Sequence, residues 1–201
     1  MKKHILFSVF VIGLVGFFLS SCKSYDDDVT ALKQSIFIQD VENPGLPIYS
    51  EWGYNTFGAY IDRAVFVSDN NNFTKIIVNS DTLHILLKGN MNGKFASIKF
   101  SMKGFPIVNY DNLNILDKKT VNLKDSKCIV VLTQDKTSKV LKIIEGSFVF
   151  KRVQNLYVDK EYTKTIISGV FYFKTFFDNE PVAISNGRFD LGIGYENFYN
   201  Y

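Results

Sequence analysis

The 201-residue chain predicts a mainly-β domain, built as a single antiparallel β-sandwich or a partly closed barrel. Three observations carry that prediction. Apolar and polar residues alternate with period two in one segment after another, and no long segment keeps the 3.6-residue period of a helix. The alternating segments are rich in aromatic and β-branched residues, with 19 Phe and 11 Tyr in the chain, types that suit a pleated, half-buried surface. Pairs of Asn, Asp and Gly punctuate the segments at hairpin spacing.

The chain begins with the parts of an export signal: Lys2 and Lys3, the apolar run 5–19, then Ser20 and Ser21. That run is broken by Gly13 and Gly16 and is shorter than the ~20 apolar residues that span a bilayer. Leu19-Ser20-Ser21-Cys22 resembles the lipobox of bacterial lipoproteins. The resemblance implies that residues 1–21 are removed, that the Cys22 thiol carries diacylglycerol, and that Cys22 becomes the first mature residue. Several acyl chains then hold the protein on a membrane without a spanning segment, because each buried methylene contributes about 0.8 kcal/mol. Lys23-Ser24-Tyr25-Asp26-Asp27-Asp28 follows directly. An acidic run beside anionic headgroups stands off as a solvated tether. The same run resembles the acidic signals that send lipoproteins of the Bacteroidota to the exterior face of the outer membrane, the periplasmic face being the alternative. With "ALKQSIFI" and the turn-rich "ENPGLP", residues 22–48 read as a lipidated tether and linker, which places the all-β domain at 49–201.

Within the domain, "TFGAYID" and "AVFVS" flank a turn at Asp62-Arg63, and "TKIIVN" leads to "TLHILLK". Asn92-Gly93 then makes a hairpin turn into "FASIKFSMKG". A polar, irregular stretch at 109–126 precedes "CIVVLTQ", and three long segments ending near Val153, Phe176 and Ile193 close the chain. Two of these form a near-repeat: "IIEGSFVFKRV" (143–153) and "IISGVFYFKTF" (166–176) share Ile-Ile, Gly, Phe, Phe and Lys. They read as neighbouring strands in which Gly146 and Gly169 sit at bulges or close approaches, while Phe148, Phe150, Phe171 and Phe173 fill one face.

Loss of residues 1–21 removes Lys2 and Lys3 and no acid, so the formal charge falls by two from +3. A near-neutral domain without a Lys/Arg cluster lacks the electrostatic footprint of a nucleic-acid-binding protein. With Cys22 acylated, Cys128 is the one remaining thiol and His84 the one remaining histidine, which leaves neither an intrachain disulfide nor a Cys/His zinc site. A histidine-based catalytic triad would have to use His84, set in an alternating strand. Glu51, Glu145 and Glu180 are the acids from which a glycosidase pair could be drawn, and no glycine-rich phosphate loop precedes a helix. No residue is assigned as catalytic, cofactor-binding or metal-ligating, and the chain reads as a non-enzyme without a cofactor.

"IISGVFYF" followed by "VAISNGRFDLGI", together with the early "NTFGAYID", resembles a family of uncharacterised Bacteroidota outer-membrane lipoproteins with a C-terminal "SGxFxF…nGRFD" signature. That resemblance implies an all-β extracytoplasmic domain and carries no catalytic residue with it. In Asn186-Gly187-Arg188-Phe189-Asp190 the expected roles are structural: Phe189 points inward, and Arg188 and Asp190 share the other face. Asp81-Thr82-Leu83 resembles the Bacteroidota O-glycosylation acceptor, with Thr82 as the modified residue.

Trp52, Tyr54 and Tyr60 near the domain start and Tyr199 near the end are the candidate contacts for a ligand or partner, because aromatic faces stack on sugars and anchor protein interfaces. The function expected is a surface-exposed binding or interaction domain, anchored through Cys22 and contacting an envelope protein, a host component or a glycan. The alternatives are a lipocalin-like carrier of a small apolar ligand and a glycan-binding or glycan-processing accessory protein.

Overall fold

The computed structural model describes residues 35–70, 74–177 and 179–201. The described strands are β1 (Thr56–Ile61), β2 (Ala64–Ser68), β3 (Lys75–Asn79), β4 (Thr82–Met91), β5 (Lys94–Lys103), β6 (Thr120–Asn122), β7 (Cys128–Gln134), β8 (Thr137–Leu141), β9 (Ile143–Val158), β10 (Glu161–Phe177), β11 (Glu180–Ile193) and β12 (Phe198–Asn200). They form one mainly antiparallel sheet in the order β6-β9-β10-β11-β1-β2-β4-β5-β7-β8. β3 pairs with β4, and β12 runs parallel to β3. The sheet is not closed: β8 and β6 end the order.

Local chemistry sets most of the hairpins. Asp62 and Asn92 take positive φ, Gly93 follows Asn92 with φ +77°, and Asp135-Lys136 and Asp159-Lys160 turn in the same left-handed region. β4 alternates between half-buried and buried at all ten positions, so that Leu83, Ile85, Leu87 and Met91 face the core. Its two halves serve different neighbours: residues 82–86 pair with β3, and residues 89–91 pair with β2.

The sheet curls until its distant strands meet. Phe100 on β5 lies 4.8 Å from Phe148 on β9 and 5.2 Å from Phe171 on β10, centroid to centroid. With Phe57, Phe66, Phe150, Phe173 and Phe189 these rings are essentially inaccessible and fill the space that the curl encloses. The near-repeat is two adjacent strands, as its spacing predicts. In the antiparallel ladder Gly146 faces Phe173, Phe148 faces Phe171, and Phe150 lies opposite Gly169. β11 extends the pattern, with Gly187 opposite Phe171 and Phe189 opposite Gly169. Gly169 and Gly187 lie against the rings of Phe189 and Phe171, Gly146 lies against the Phe173 backbone and Cβ, and the register slips by one residue between Ser168 and Gly169.

Three expectations are adjusted. The compact unit begins at Ser35 and not at 49, because residues 35–55 form a strap against the outer face of the sheet. Within "ENPGLP", Leu46 is fully buried, Tyr60 Oη donates to the Pro44 carbonyl, and Pro47 packs over Gly58. The first long segment continues to Val158, five residues past the expected end near Val153, because its pairing with β10 runs on through Tyr157 and Val158. The stretch at 109–126 is more ordered than its polarity suggests. It contains a 3-10 turn at Tyr110–Leu116, which buries Leu113 and Leu116, and the edge strand β6.

Candidate functional site

Alternation along β11 turns Phe189 inward and puts Arg188 and Asp190 on the outer face, where the strap crosses. Asp190 is 1% exposed and lies opposite Thr56 and Ser168. Its carboxylate accepts hydrogen bonds from Ser50 Oγ and from three backbone amides, those of Trp52 (3.2 Å), Gly53 (2.8 Å) and Tyr54 (3.1 Å). Gly53 has φ +74°, which lets consecutive N–H groups converge on one anion, and a side chain there would crowd Ile166 at 3.0 Å. Arg188 pairs with Asp40 and also donates to the Pro47 carbonyl, while Asn186 Nδ2 donates to Asn43 Oδ1. Alternate outward residues of β11 thus fasten the strap at three places, and the Asn-Gly-Arg-Phe-Asp run has the structural role expected of it.

The loop held by Asp190 presents Trp52 to solvent with 74% of its surface exposed. Its flank is fixed as well. Glu51 pairs with Arg152 at 3.0 Å, accepts from Tyr49 Oη at 2.9 Å, and accepts from Gln154 Nε2 through its carbonyl. Hydrogen bonding from Arg152 and Tyr49 holds the Glu51 carboxyl below its usual range. Burial, followed by the Glu51 hydrogen bond, pushes the Tyr49 phenol up. The Lys151 ammonium sits 5.2 Å over the Tyr49 ring. Beneath the loop, burial pushes Lys164 below the usual lysine range against the opposing pull of Asp190. The arrangement is a rigid aromatic finger set among paired charges.

The other predicted contacts are dispersed. Tyr54 shares the Trp52 loop, half-buried, and its carbonyl accepts from Ile36 N at 2.8 Å. Tyr60 lies further along β1, where its hydroxyl is spent on the strap. Tyr199 belongs to β12 beside β3, stacked with Tyr201 and lying under Lys75. The four aromatics therefore form no common platform. Thr82 opens β4 with its hydroxyl donating to Asp81 Oδ1 at 3.1 Å. Cys22 lies outside the described residues.

The candidate acids are likewise apart: Glu51 is on the strap, Glu145 on β9 pairs with Lys174 at 2.7 Å, and Glu180 begins β11. Among the described residues no three His, Cys, Asp or Glu side chains gather as metal ligands would. Cys128 is half-buried, and burial with a smaller contribution from Asp125 raises its thiol. His84 points outward and shares a 2.8 Å hydrogen bond with Ser101 Oγ. Burial, then Lys99, lowers the His84 pKa. The unfolded chain takes up this proton near pH 6.5 while the folded chain resists it, so stability falls as pH drops below about 6.5. His84→Gln is expected to flatten that slope, as read from urea midpoints between pH 7.5 and 5 at fixed ionic strength.

The sequence offers Trp52 as a candidate contact but does not show what holds its loop. The available signal was the outward placement of both Arg188 and Asp190 on a long strand otherwise rich in apolar residues, which marks a face covered by something polar. Comparison with known proteins finds no matching family model, curated protein or solved structure.

Proposed function

We propose that the protein is a lipid-anchored binding protein of the cell envelope, held on the outer membrane through acylated Cys22 and facing the cell exterior, which grips another envelope protein or a host component through the Trp52 loop. The observation that carries the reading is a tryptophan 74% exposed on a loop whose backbone is fixed by one buried carboxylate. Tryptophan is enriched among the few residues that dominate binding energy, typically about 2 kcal/mol or more each. A loop already ordered before contact avoids much of the entropy that a flexible loop loses on association. The flanking Arg152, Gln154 and Glu51 supply a polar rim around the apolar anchor.

Trp52 is the sole tryptophan of the chain, so its emission reports the contact directly. Titration with outer-membrane protein fractions is expected to shift that emission to the blue. Trp52→Ala should abolish retention of the same partner while changing stability by no more than about 0.5 kcal/mol, the usual range for exposed positions. Retention unchanged by Trp52→Ala would overturn the reading, and a blue shift with purified oligosaccharides alone would replace the protein partner by a glycan. Anchoring is tested separately: Cys22→Ser should move the protein from the membrane to the soluble fraction. Protease treatment of intact cells distinguishes the exterior from the periplasmic face.

A further inference from the structure

At the other end of β1, β10 and β11 from Trp52, the curled sheet leaves a cavity of about 140 Å³. Its wall is made by Ile61, Met91, Ile98, Leu132, Leu141 and Ile184, with Phe173 and Phe177 on the β10 side. The pocket is partly open and its lining is mostly apolar, so water held there finds few hydrogen-bond partners. Engineered apolar cavities of about 150 Å³ stay dry and take up benzene. Three polar residues line it: Asp62 Oδ1 accepts from Ala183 N at 2.8 Å and Thr175 Oγ1 donates to the Lys142 carbonyl at 3.0 Å, which leaves the Gln134 amide as the polar group available to a ligand. The pocket is partly open to solvent; Phe177 of β10 lines it, and Lys139 of β8 stands 4.2 Å over that ring. A small molecule can therefore enter from the open side without breaking a strand ladder.

We propose that this cavity is a binding site for a compact apolar group, an aromatic ring or a short branched alkyl chain of about six to eight non-hydrogen atoms, as its volume allows. It is separate from the Trp52 contact and stands or falls independently of it. The apolar wall selects for shape, and the exposed rim leaves any polar portion of the ligand in water.

Benzene is the probe. Titrated into the methyl-labelled protein, it is expected to produce saturable shifts in the Ile61, Ile98 and Ile184 methyl resonances. Ile76 and Ile167, which lie outside the wall, should stay in place, and Trp52 emission should not change. Leu132→Phe fills the space from β7 and should weaken benzene binding at least tenfold. Should that variant fail to fold, the wild-type titration alone decides. Shifts that rise linearly without saturation, or that spread equally over all isoleucines, would overturn the proposal.

Discussion

Asp190→Ala is expected to detach the strap from the sheet and to lower stability by about 3–5 kcal/mol, because four neutral donors lose their acceptor at about 1–3 kcal/mol each and the loosened loop returns part of them to water. The size follows from what is left behind. Ser50 Oγ and the amides of Trp52, Gly53 and Tyr54 all donate to this one carboxylate, and alanine leaves them facing a covered strand. Asp190→Asn should lose less. Three donors converge on Oδ2 and only Gly53 N on Oδ1, so an amide oriented with its oxygen toward the larger group abandons a single partner. Urea unfolding separates the parts of this effect. Trp52 emission follows the loop and far-ultraviolet circular dichroism follows the sheet. In the wild type the two transitions should coincide, and in Asp190→Ala the Trp52 transition should come first. Coincident and unshifted transitions in the variant would mean that the strap is held by Leu46 and Arg188 without help from the carboxylate. The same variant bears on function, because a loosened Trp52 loop should bind its partner more weakly even though Trp52 itself is intact.

How much of this was legible depends on how local the physics is. The strict alternation of β4, the Asn92-Gly93 hairpin and the Asp62-Arg63 turn follow from residues a few positions apart, and they were predicted where they occur. The pairing of β11 with β1 joins residues some 130 positions apart, and nothing in either strand names the other. The strap escaped notice for a related reason. "ENPGLP" has the composition of a surface turn, and only the presence of Gly58 beneath Pro47 and of Asp190 beneath Trp52 makes it part of the domain. The aromatic contacts show the same limit. Tyr60 is eight residues from Trp52 in sequence, yet strand β1 carries it away from the loop, and Tyr199 is delivered to the β3 edge by a parallel pairing that no short pattern encodes. The Gly-x-Phe-x-Phe repeat lies between these cases. Its residues announced a shared geometric problem, and its solution, glycine opposite phenylalanine across an antiparallel register, needed the ladder.

That ladder makes the second large effect. Gly169→Ala is expected to cost about 3 kcal/mol or more, beyond the usual 1–3 kcal/mol of overpacking, and to reduce soluble yield. A methyl group at this position falls on the Val149 carbonyl oxygen and within 2.7 Å of the Phe189 ring. The ring can be trimmed, but the carbonyl belongs to β9, and moving it breaks the pairing that sets Phe148 against Phe171. Phe189→Leu should therefore fail to rescue Gly169→Ala, and the double variant should be less stable than either single one. Gly194→Ala is the control: its methyl meets nothing closer than 3.7 Å, so the change should be neutral or slightly stabilising through the unfolded chain. Thermal and urea midpoints of the four proteins decide between two origins of the glycine. Full rescue by Phe189→Leu would show that room for the ring sets the requirement. Failure to rescue would place it in the backbone contact between β9 and β10, and would make the near-repeat a consequence of two strands meeting too closely for any side chain.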